Sequence, residues 1–234
     1  MSFTRLTFFH SVAPHGLLGI SSRPRMTYFF RHATKTIVIR RKLVIVGDTS
    51  CGKTSLFRRY VYREPYSSFY TPMVFESYVA DIQVGNKEVH LAFWDTSAHE
   101  DYERLRPLSY LDAHAVLICF SFDLPNSLNN ARDKWAPEIL HFCSDPKASY
   151  ILVGCKMDLK GNTRVLELLG VKTDQKLITS EEAEAVARHI GAAMYLECSA
   201  MTGEGIDEAI EEAARVSLSA AKRATQKKSG CILL

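Results

Sequence analysis

The stretch GDTSCGKT, Gly47 to Thr54, constrains the fold more than any other part of this chain. It follows an apolar run, IVIRRKLVIVGD, that reads as a buried strand, and it opens GKTSLFRRYVY, which suits a helix. Strand, glycine-containing loop, Lys-Thr and helix, in that order, are the context that gives the P-loop pattern its meaning. Backbone N–H groups along Gly47, Asp48, Thr49, Ser50, Cys51 and Gly52 can wrap phosphates, helped by the positive end of the helix. Lys53 is placed for the β- and γ-phosphates, the Thr54 hydroxyl for Mg²⁺, and Ser55 completes the expected lining.

Downstream, strands and helices alternate. VFESYVADIQV, a turn at Gly85-Asn86 and KEVHLAFWD form a β-hairpin, and AVLICFSF and YILVGCKMD are further apolar strands. SLNNARDKWAPEILHF is helical, with Pro137 expected to bend it or to mark a first turn. Asn162 to Leu169 suits a short helix. TSEEAEAVARHIG carries a capping box in Thr179 and Glu182, with Ala183, Val186, Ala187 and Ile190 on one face. MYLECS is the last strand. From about Gly205 a long helix turns Ile206, Ala209, Ile210, Ala213 and Val216 inward and frays into KRATQKKSGCILL. This order predicts an α/β fold: a mostly parallel sheet with one antiparallel edge and helices on both faces. Ligands of such sheets sit at the carboxyl ends of the strands.

Two further features fall at strand ends. Asp95 closes an apolar strand, where a P-loop protein keeps the carboxylate that holds Mg²⁺. In CKMD, Cys155 to Asp158, the Asp158 carboxylate can accept two hydrogen bonds from the N1–H and amine of guanine, a donor pair adenine lacks. The Lys156 stem can lie over the base, and the backbone of Ser199 and Ala200 can reach the guanine oxygen.

With these residues assembled, the chain resembles the Ras superfamily of small GTPases, and the Rho family within it. The resemblance runs from about Ile37 to Leu234 through RRKLVIVGD, CGKT, VFESYVADIQV, WDTSAHEDYERLRPLSY, CKMDL, YLECSA and a terminal CILL. It implies a P-loop GTPase fold with a six-stranded sheet, a Rho-type insert helix between Asp158 and Thr179, and two loops that sense the γ-phosphate. The first runs from about Arg63 to Tyr78 and the second from Thr96 to about Pro107. Tyr66 takes the aromatic position beside the base, and Tyr70 that of the tyrosine covering the phosphates. Also implied are GTP and GDP as ligands, effectors at Tyr70 to Tyr78, exchange factors, prenyl-binding dissociation inhibitors, a monomeric state and a role in signalling to cytoskeleton or polarity.

Four departures from the family pattern surround the γ-phosphate position. Thr49 stands where relatives usually have Gly, in the approach of an arginine finger and of the catalytic glutamine. Met73 replaces the threonine that ligates Mg²⁺, and a thioether matches that hard ion poorly, so metal binding is expected to weaken. Ala98 replaces a Gly whose N–H meets the γ-phosphate. His99 replaces the water-orienting Gln, with a shorter reach and a different plane. Because phosphoryl transfer depends on positioning, slow GTP hydrolysis is expected. Two readings stay open: a nucleotide-loaded scaffold that escapes activating proteins, and an ordinary switch in which His99 serves the water.

The two ends differ from the body. Before Asp48, the first acidic residue, stand Arg5, Arg23, Arg25, Arg31, Lys35, Arg40, Arg41 and Lys42, so a net charge of +3 hides a basic leader on a mildly acidic body. Residues 1–36 read as a disordered basic extension, with a mitochondrial transit peptide or a start at Met26 as alternatives. No nucleic-acid reading motif or stacking platform accompanies the leader, so no nucleic-acid partner is expected. Residues 37–220 form the GTPase domain, and residues 221–234 a polybasic tail. CILL fits a prenylation box with Cys231 as the lipidated residue. Lys222, Arg223, Lys227 and Lys228 supply the second signal toward anionic lipid of a cytoplasmic leaflet, at the plasma membrane or endomembranes, with some protein cytosolic. The six cysteines lack zinc-finger spacing and read as reduced thiols. Cys51 has two readings: a thiol activated by the helix end and Lys53, or packing beneath the loop.

Overall fold

The computed structural model describes residues 38–64, 75–143, 149–160 and 178–228, with side chains described only up to residue 219. The expectations for residues 1–36, Tyr66, Tyr70, Met73, the insert helix and Cys231 lie outside the described residues, as do the side chains of Lys222, Arg223, Lys227 and Lys228.

Strand β1 (Val38–Gly47) begins exposed and ends fully buried, as its shift from VIRRK to LVIVG dictates. It leads through the glycine-containing loop into α1 (Lys53–Tyr62). The hairpin β2 (Phe75–Val84) and β3 (Lys87–Thr96) turns at Gly85 and pairs Phe75 with Thr96 and Val84 with Lys87. β4 (Ala115–Ser121) is buried at every position, β5 (Ser149–Cys155) over its last five residues, and β6 (Tyr195–Cys198) is short. The six strands lie in the order β2-β3-β1-β4-β5-β6. Among the described strands only the β2–β3 pair is antiparallel; the other pairs are parallel. The expected single antiparallel edge is therefore β2. β1 joins β3 on one side and β4 on the other, so the strand order reverses beside the glycine-containing loop, where such sheets bind ligands.

Each face of the sheet has its own core. On one, Leu56 and Phe57 of α1 and Ile206, Ile210 and Ala213 of the last helix cover Leu43, Ile45, Leu91, Phe93 and Val153. On the other, Leu128, Trp135, Ile139, Ala183 and Ala187 cover Val44, Val46, Ile118, Phe120 and Leu152.

The segment around Pro137 is helical but not uniform. α2 (Pro125–Asn130) passes into a π-turn over Ala131–Trp135 and then into α3 (Ala136–Phe142). Pro137 has no N–H for the usual bond four residues back. The helix widens just before it, with the Ala136 N–H reaching Ala131 O. α4 (Ser180–Ile190) carries the expected capping box, both halves formed by Thr179 and Glu182.

The final helix, α5 (Ile206–Lys228), corrects the expected fraying near residue 220. AAKRATQKK consists largely of strong helix formers, so its backbone follows the helix already nucleated against the sheet.

Candidate functional site

The carboxyl ends of β1, β3, β4, β5 and β6 meet at one edge of the sheet, and most of the predicted site residues lie there. Gly47 leaves β1 at φ 145°, and a Cβ on it would fall 2.2 Å from the Cys119 carbonyl oxygen, so only glycine fits. Thr49 and Ser50 are exposed at the loop's outer turn, with Ser50 in the left-handed region at φ 62°. Gly52, the N-cap of α1, has φ 106° and no side chain to cap the helix. First-turn N–H groups have no intrahelical partner, so those of α1 point a partly positive end into the loop. Lys53 is buried and folds back over this turn, its Nζ donating to Gly47 O at 2.9 Å and Asp48 O at 2.7 Å. An ammonium held this way stands ready for a phosphate at the loop's mouth.

The Asp48 side chain is engaged elsewhere. It accepts from Trp135 Nε1 at 2.8 Å and from Asn130 Nδ2 at 2.7 Å, which ties the loop to the widened helix. The loop expectation concerned the Asp48 backbone, and this anchoring of its carboxylate was not anticipated.

Cys51 settles between its two readings. It is wholly buried, its Sγ lies 3.7 Å from Cys119 O, and burial pushes the thiol up to about 12. Lys53 pulls the other way but does not prevail. The activated-thiol reading is overturned, because the helix end points its field into the loop while the side chain lies beneath it.

Asp95 is 2% exposed, and neither carboxylate oxygen has a hydrogen-bond partner. Burial pushes its pKa up to about 6, against the pull of the nearby Thr54 hydroxyl and the Lys53 charge. An unpartnered buried carboxylate beside a hydroxyl fits a hard divalent cation, which takes oxygen ligands. Thr54 and Asp95 are thus brought together as expected, and the residues present suit Mg²⁺.

Just beyond β5, Lys156 adopts a left-handed φ of 59° and its Nζ donates to Asp123 Oδ2 at 2.8 Å. The Asp158 carboxylate accepts from the Ser199 hydroxyl, which is wholly buried. Ala200 follows, half-buried. Ser199 was expected to act through its backbone; its hydroxyl also orients Asp158. Asp123 was missed, although its place just past the end of β4 is a signal in retrospect. Cys155 is buried at the end of β5 beneath Gly52.

The second loop lies beyond β3. Ala98 is half-buried against the core that contains Trp135. His99 is exposed and caps a short 3₁₀ turn (Glu100–Tyr102), its Nδ1 accepting the Asp101 N–H at 3.3 Å. Arg106, also missed, is 3% exposed and meets Glu138 with two bonds, at 2.6 and 2.7 Å. It also donates to Ser97 O at 3.3 Å and lies over the Trp135 ring.

Sheet order, glycine-containing loop and uncapped α1 together define a P-loop GTPase domain. A sequence profile of the Ras family matches residues 42–219. The chain is 52% identical to GTP-binding protein rho5 of Schizosaccharomyces pombe, over 85% of this chain and 100% of that one. It is 50% identical to GTP-binding protein rho1 of the same yeast, over 84% and 98%, and 50% identical to GTP-binding protein RHO1 of Saccharomyces cerevisiae, over 84% and 96%. The chain belongs to the Rho family of small GTPases.

Proposed function

We propose that this Rho-family protein is a membrane-anchored, guanosine-nucleotide-binding signalling module whose hydrolysis of GTP is slow. The observation that carries the slow turnover is His99. At the water-orienting position stands an exposed imidazole whose Nδ1 already accepts the Asp101 N–H. Thr49 stands exposed at the loop's outer turn, in the way of an arginine finger, and Ala98 and Met73 replace two residues that read the γ-phosphate. Gly47 to Ser55 would hold the phosphates, with Lys53 on the β- and γ-oxygens. Lys156, Asp158, Ser199 and Ala200 would read the base, with Cys155 beneath them and Tyr66 and Tyr70 closing over the nucleotide. Thr54 and Asp95 would hold Mg²⁺, which when bound neutralises charge on the phosphate oxygens.

Anchoring would follow from prenylation at Cys231 together with Lys222, Arg223, Lys227 and Lys228 against anionic lipid, since one lipid chain alone binds marginally. Among the described residues no helix is long and apolar enough to cross a membrane. Effectors would dock at Tyr70 to Tyr78, with exchange factors and prenyl-binding dissociation inhibitors as further partners, in pathways that shape cytoskeleton or polarity. The leader of residues 1–36 is proposed as an extension outside the GTPase domain. A constitutively loaded scaffold is the limit of this reading in which hydrolysis is negligible.

Single-turnover hydrolysis of labelled GTP by the purified full chain tests the proposal. A rate more than about tenfold below that of a Rho relative carrying Gly, Thr, Gly and Gln at these four positions is expected. A rate within that range, or strong stimulation by a Rho-activating partner, overturns it.

A further inference from the structure

Four buried thiols meet beneath the phosphate loop, each from a different segment. Cys51 comes from the loop itself, and Cys119, Cys155 and Cys198 from β4, β5 and β6, all within one core. The function proposed above assigns no role to their sulfurs. Among the described residues no three of His, Cys, Asp and Glu are placed to hold a metal ion.

The register singles out one pair. Cys155 and Cys198 are direct partners across the parallel β5–β6 ladder. Adjacent strands lie about 4.8 Å apart, inside the Cα separation of about 4.4–6.8 Å that a disulfide spans. Direct partners also point to the same face of the sheet. Cys119 lies on the neighbouring strand, but its partner on β5 is Val153, two residues short of Cys155. Such diagonal neighbours lie about 7–8 Å apart, too far for a bridge without backbone movement.

We propose that Cys155 and Cys198 form a hydroperoxide-responsive pair whose closure to a disulfide loosens the bound guanosine nucleotide. This consequence rests on the nucleotide-binding reading above. In the first step the Cys155 thiolate attacks the peroxide oxygen, breaks the O–O bond and becomes a sulfenic acid, releasing hydroxide or alkoxide, which takes back from solvent the proton the thiol gave up. The Cys198 sulfur then attacks the sulfenic sulfur, and the displaced hydroxide takes up the Cys198 proton as water. Two thiols are oxidised by two electrons while one hydroperoxide is reduced. Cys155 is assigned as the first nucleophile because Lys156 follows it directly, and its thiol is held below the ordinary range by the neighbouring Cys119 and Cys198 thiols against the opposing effect of burial, with Lys53 and Lys156 adding to the pull.

Position explains the effect. Cys155 directly precedes Lys156, and Cys198 directly precedes Ser199, whose hydroxyl orients Asp158. Closing a disulfide draws the two Cβ atoms to about 3.8 Å. Both base-reading loops tilt with them. Cys155 also supports the phosphate loop, because a Cβ on Gly52 would lie only 3.2 Å from its own Cβ. Cys155 is 3% exposed and Cys198 1%, so peroxide reaches them only when these loops open locally. Bound nucleotide therefore slows the oxidation.

The test uses the full chain, purified under reductant, then exposed to hydrogen peroxide with and without bound GDP. Peptide mapping under non-reducing conditions is expected to find Cys155 joined to Cys198, more slowly with GDP present. Release of a fluorescent GDP analogue should quicken by about tenfold and recover with dithiothreitol, as expected when the barrier to release drops by about one tenfold step. Cys198→Ala should bind GDP and form no bridge, its Cys155 stopping at a sulfenic acid that dimedone traps, whereas Cys119→Ala should still form the bridge. A different pairing, thiols that stay free, or a bridge that leaves release unchanged overturns the proposal. Failure of the reduced chain to hold GDP refutes the nucleotide reading and the loosening with it. The bridge is judged by the mapping, which needs no nucleotide.

Discussion

Trp135 Nε1 donates to Asp48 Oδ1 at 2.8 Å across 87 residues of sequence, so a core side chain holds the turn of the phosphate loop. Asn130 supplies the other bond to that carboxylate. Trp135→Phe removes the donor and part of the buried indole, so a packing loss adds to that of the bond. A hydrogen bond to a charged acceptor contributes about 1.5–3 kcal/mol. Urea unfolding should show a loss of at least that size, with faster GDP release because the loop is less well held. A variant matching the parent in both measurements would show the bond to be incidental.

Asp95 gives a stability prediction with a definite sign. Its folded pKa, raised by burial to about 6, lies above the ordinary 3.8. The folded state thus prefers the protonated acid. That preference is fully present below pH 3.8 and lost as pH rises through about 6, for a total of about 3 kcal/mol. Without metal and nucleotide, Asp95→Asn should therefore be more stable than the parent at neutral pH, the gap closing toward pH 4. Magnesium and GDP should reverse the order, since only the parent offers the ion a carboxylate. Thermal unfolding across pH, with chelator and with magnesium–GDP, checks both halves.

What could be read beforehand divides by distance along the chain. The Thr179–Glu182 capping box, the turn at Gly85 and the glycines around Lys53 were legible because each is decided by a few neighbouring residues. The bonds that join separate elements were not. Arg106 and Glu138 are 32 residues apart, and Lys156 and Asp123 are 33 apart; each meets its partner only once the sheet and helices are assembled. Cys51 misled for a related reason. Its neighbours Lys53 and the helix end suggest activation, but depth beneath the loop decides its pKa, and depth belongs to the whole sheet. The π-turn before Pro137 lay between these cases: the proline signalled a disturbance, not its form.

Asp158 should control the choice of base. Its carboxylate is oriented by the Ser199 hydroxyl, and the proposed site gives guanine two charge-assisted bonds to it. Asp158→Ala should weaken GDP binding by about 10²-fold or more while leaving weak adenosine-nucleotide binding little changed. Ser199→Ala, which removes only the orienting bond, should cost about 1 kcal/mol and keep the preference for guanine. Calorimetric titration with GDP and ADP separates the two. Equal affinity of the parent for both nucleotides would contradict the base-reading role.

Arg106 should govern the second loop through geometry as well as charge. It meets Glu138 in a two-bond fork, donates to Ser97 O and covers Trp135. Lysine retains the charge but cannot supply a planar fork. Arg106→Lys should therefore destabilise the chain by about 2 kcal/mol or more, and Arg106→Ala by about 3–5 kcal/mol, because the largely buried Glu138 is then left with the Tyr110 hydroxyl and no cation. Hydrogen exchange should rise first over Ser97 to Leu105, the segment that loses its tether. Equal destabilisation by lysine and alanine would mean that charge alone does the holding.

Restoring the family residues tests why turnover should be slow. His99→Gln supplies an amide that can orient water, but it also removes the Nδ1 acceptor that caps the turn at Asp101. That single change is therefore expected to help little. Thr49→Gly clears the approach of an arginine finger, Ala98→Gly frees the backbone beside the γ-phosphate, and Met73→Thr returns a hydroxyl ligand for magnesium. Groups that act as a unit are strongly non-additive, so the four changes together should raise the rate by far more than the product of the single effects. The intrinsic rate should rise first, and sensitivity to an activating partner should appear only when Thr49 is replaced, with a gain of up to about 10³–10⁵. Single-turnover assays of the four single variants and of the combined variant, with and without that partner, distinguish these contributions. A combined variant as slow as the parent would place the cause of slow turnover outside these four positions.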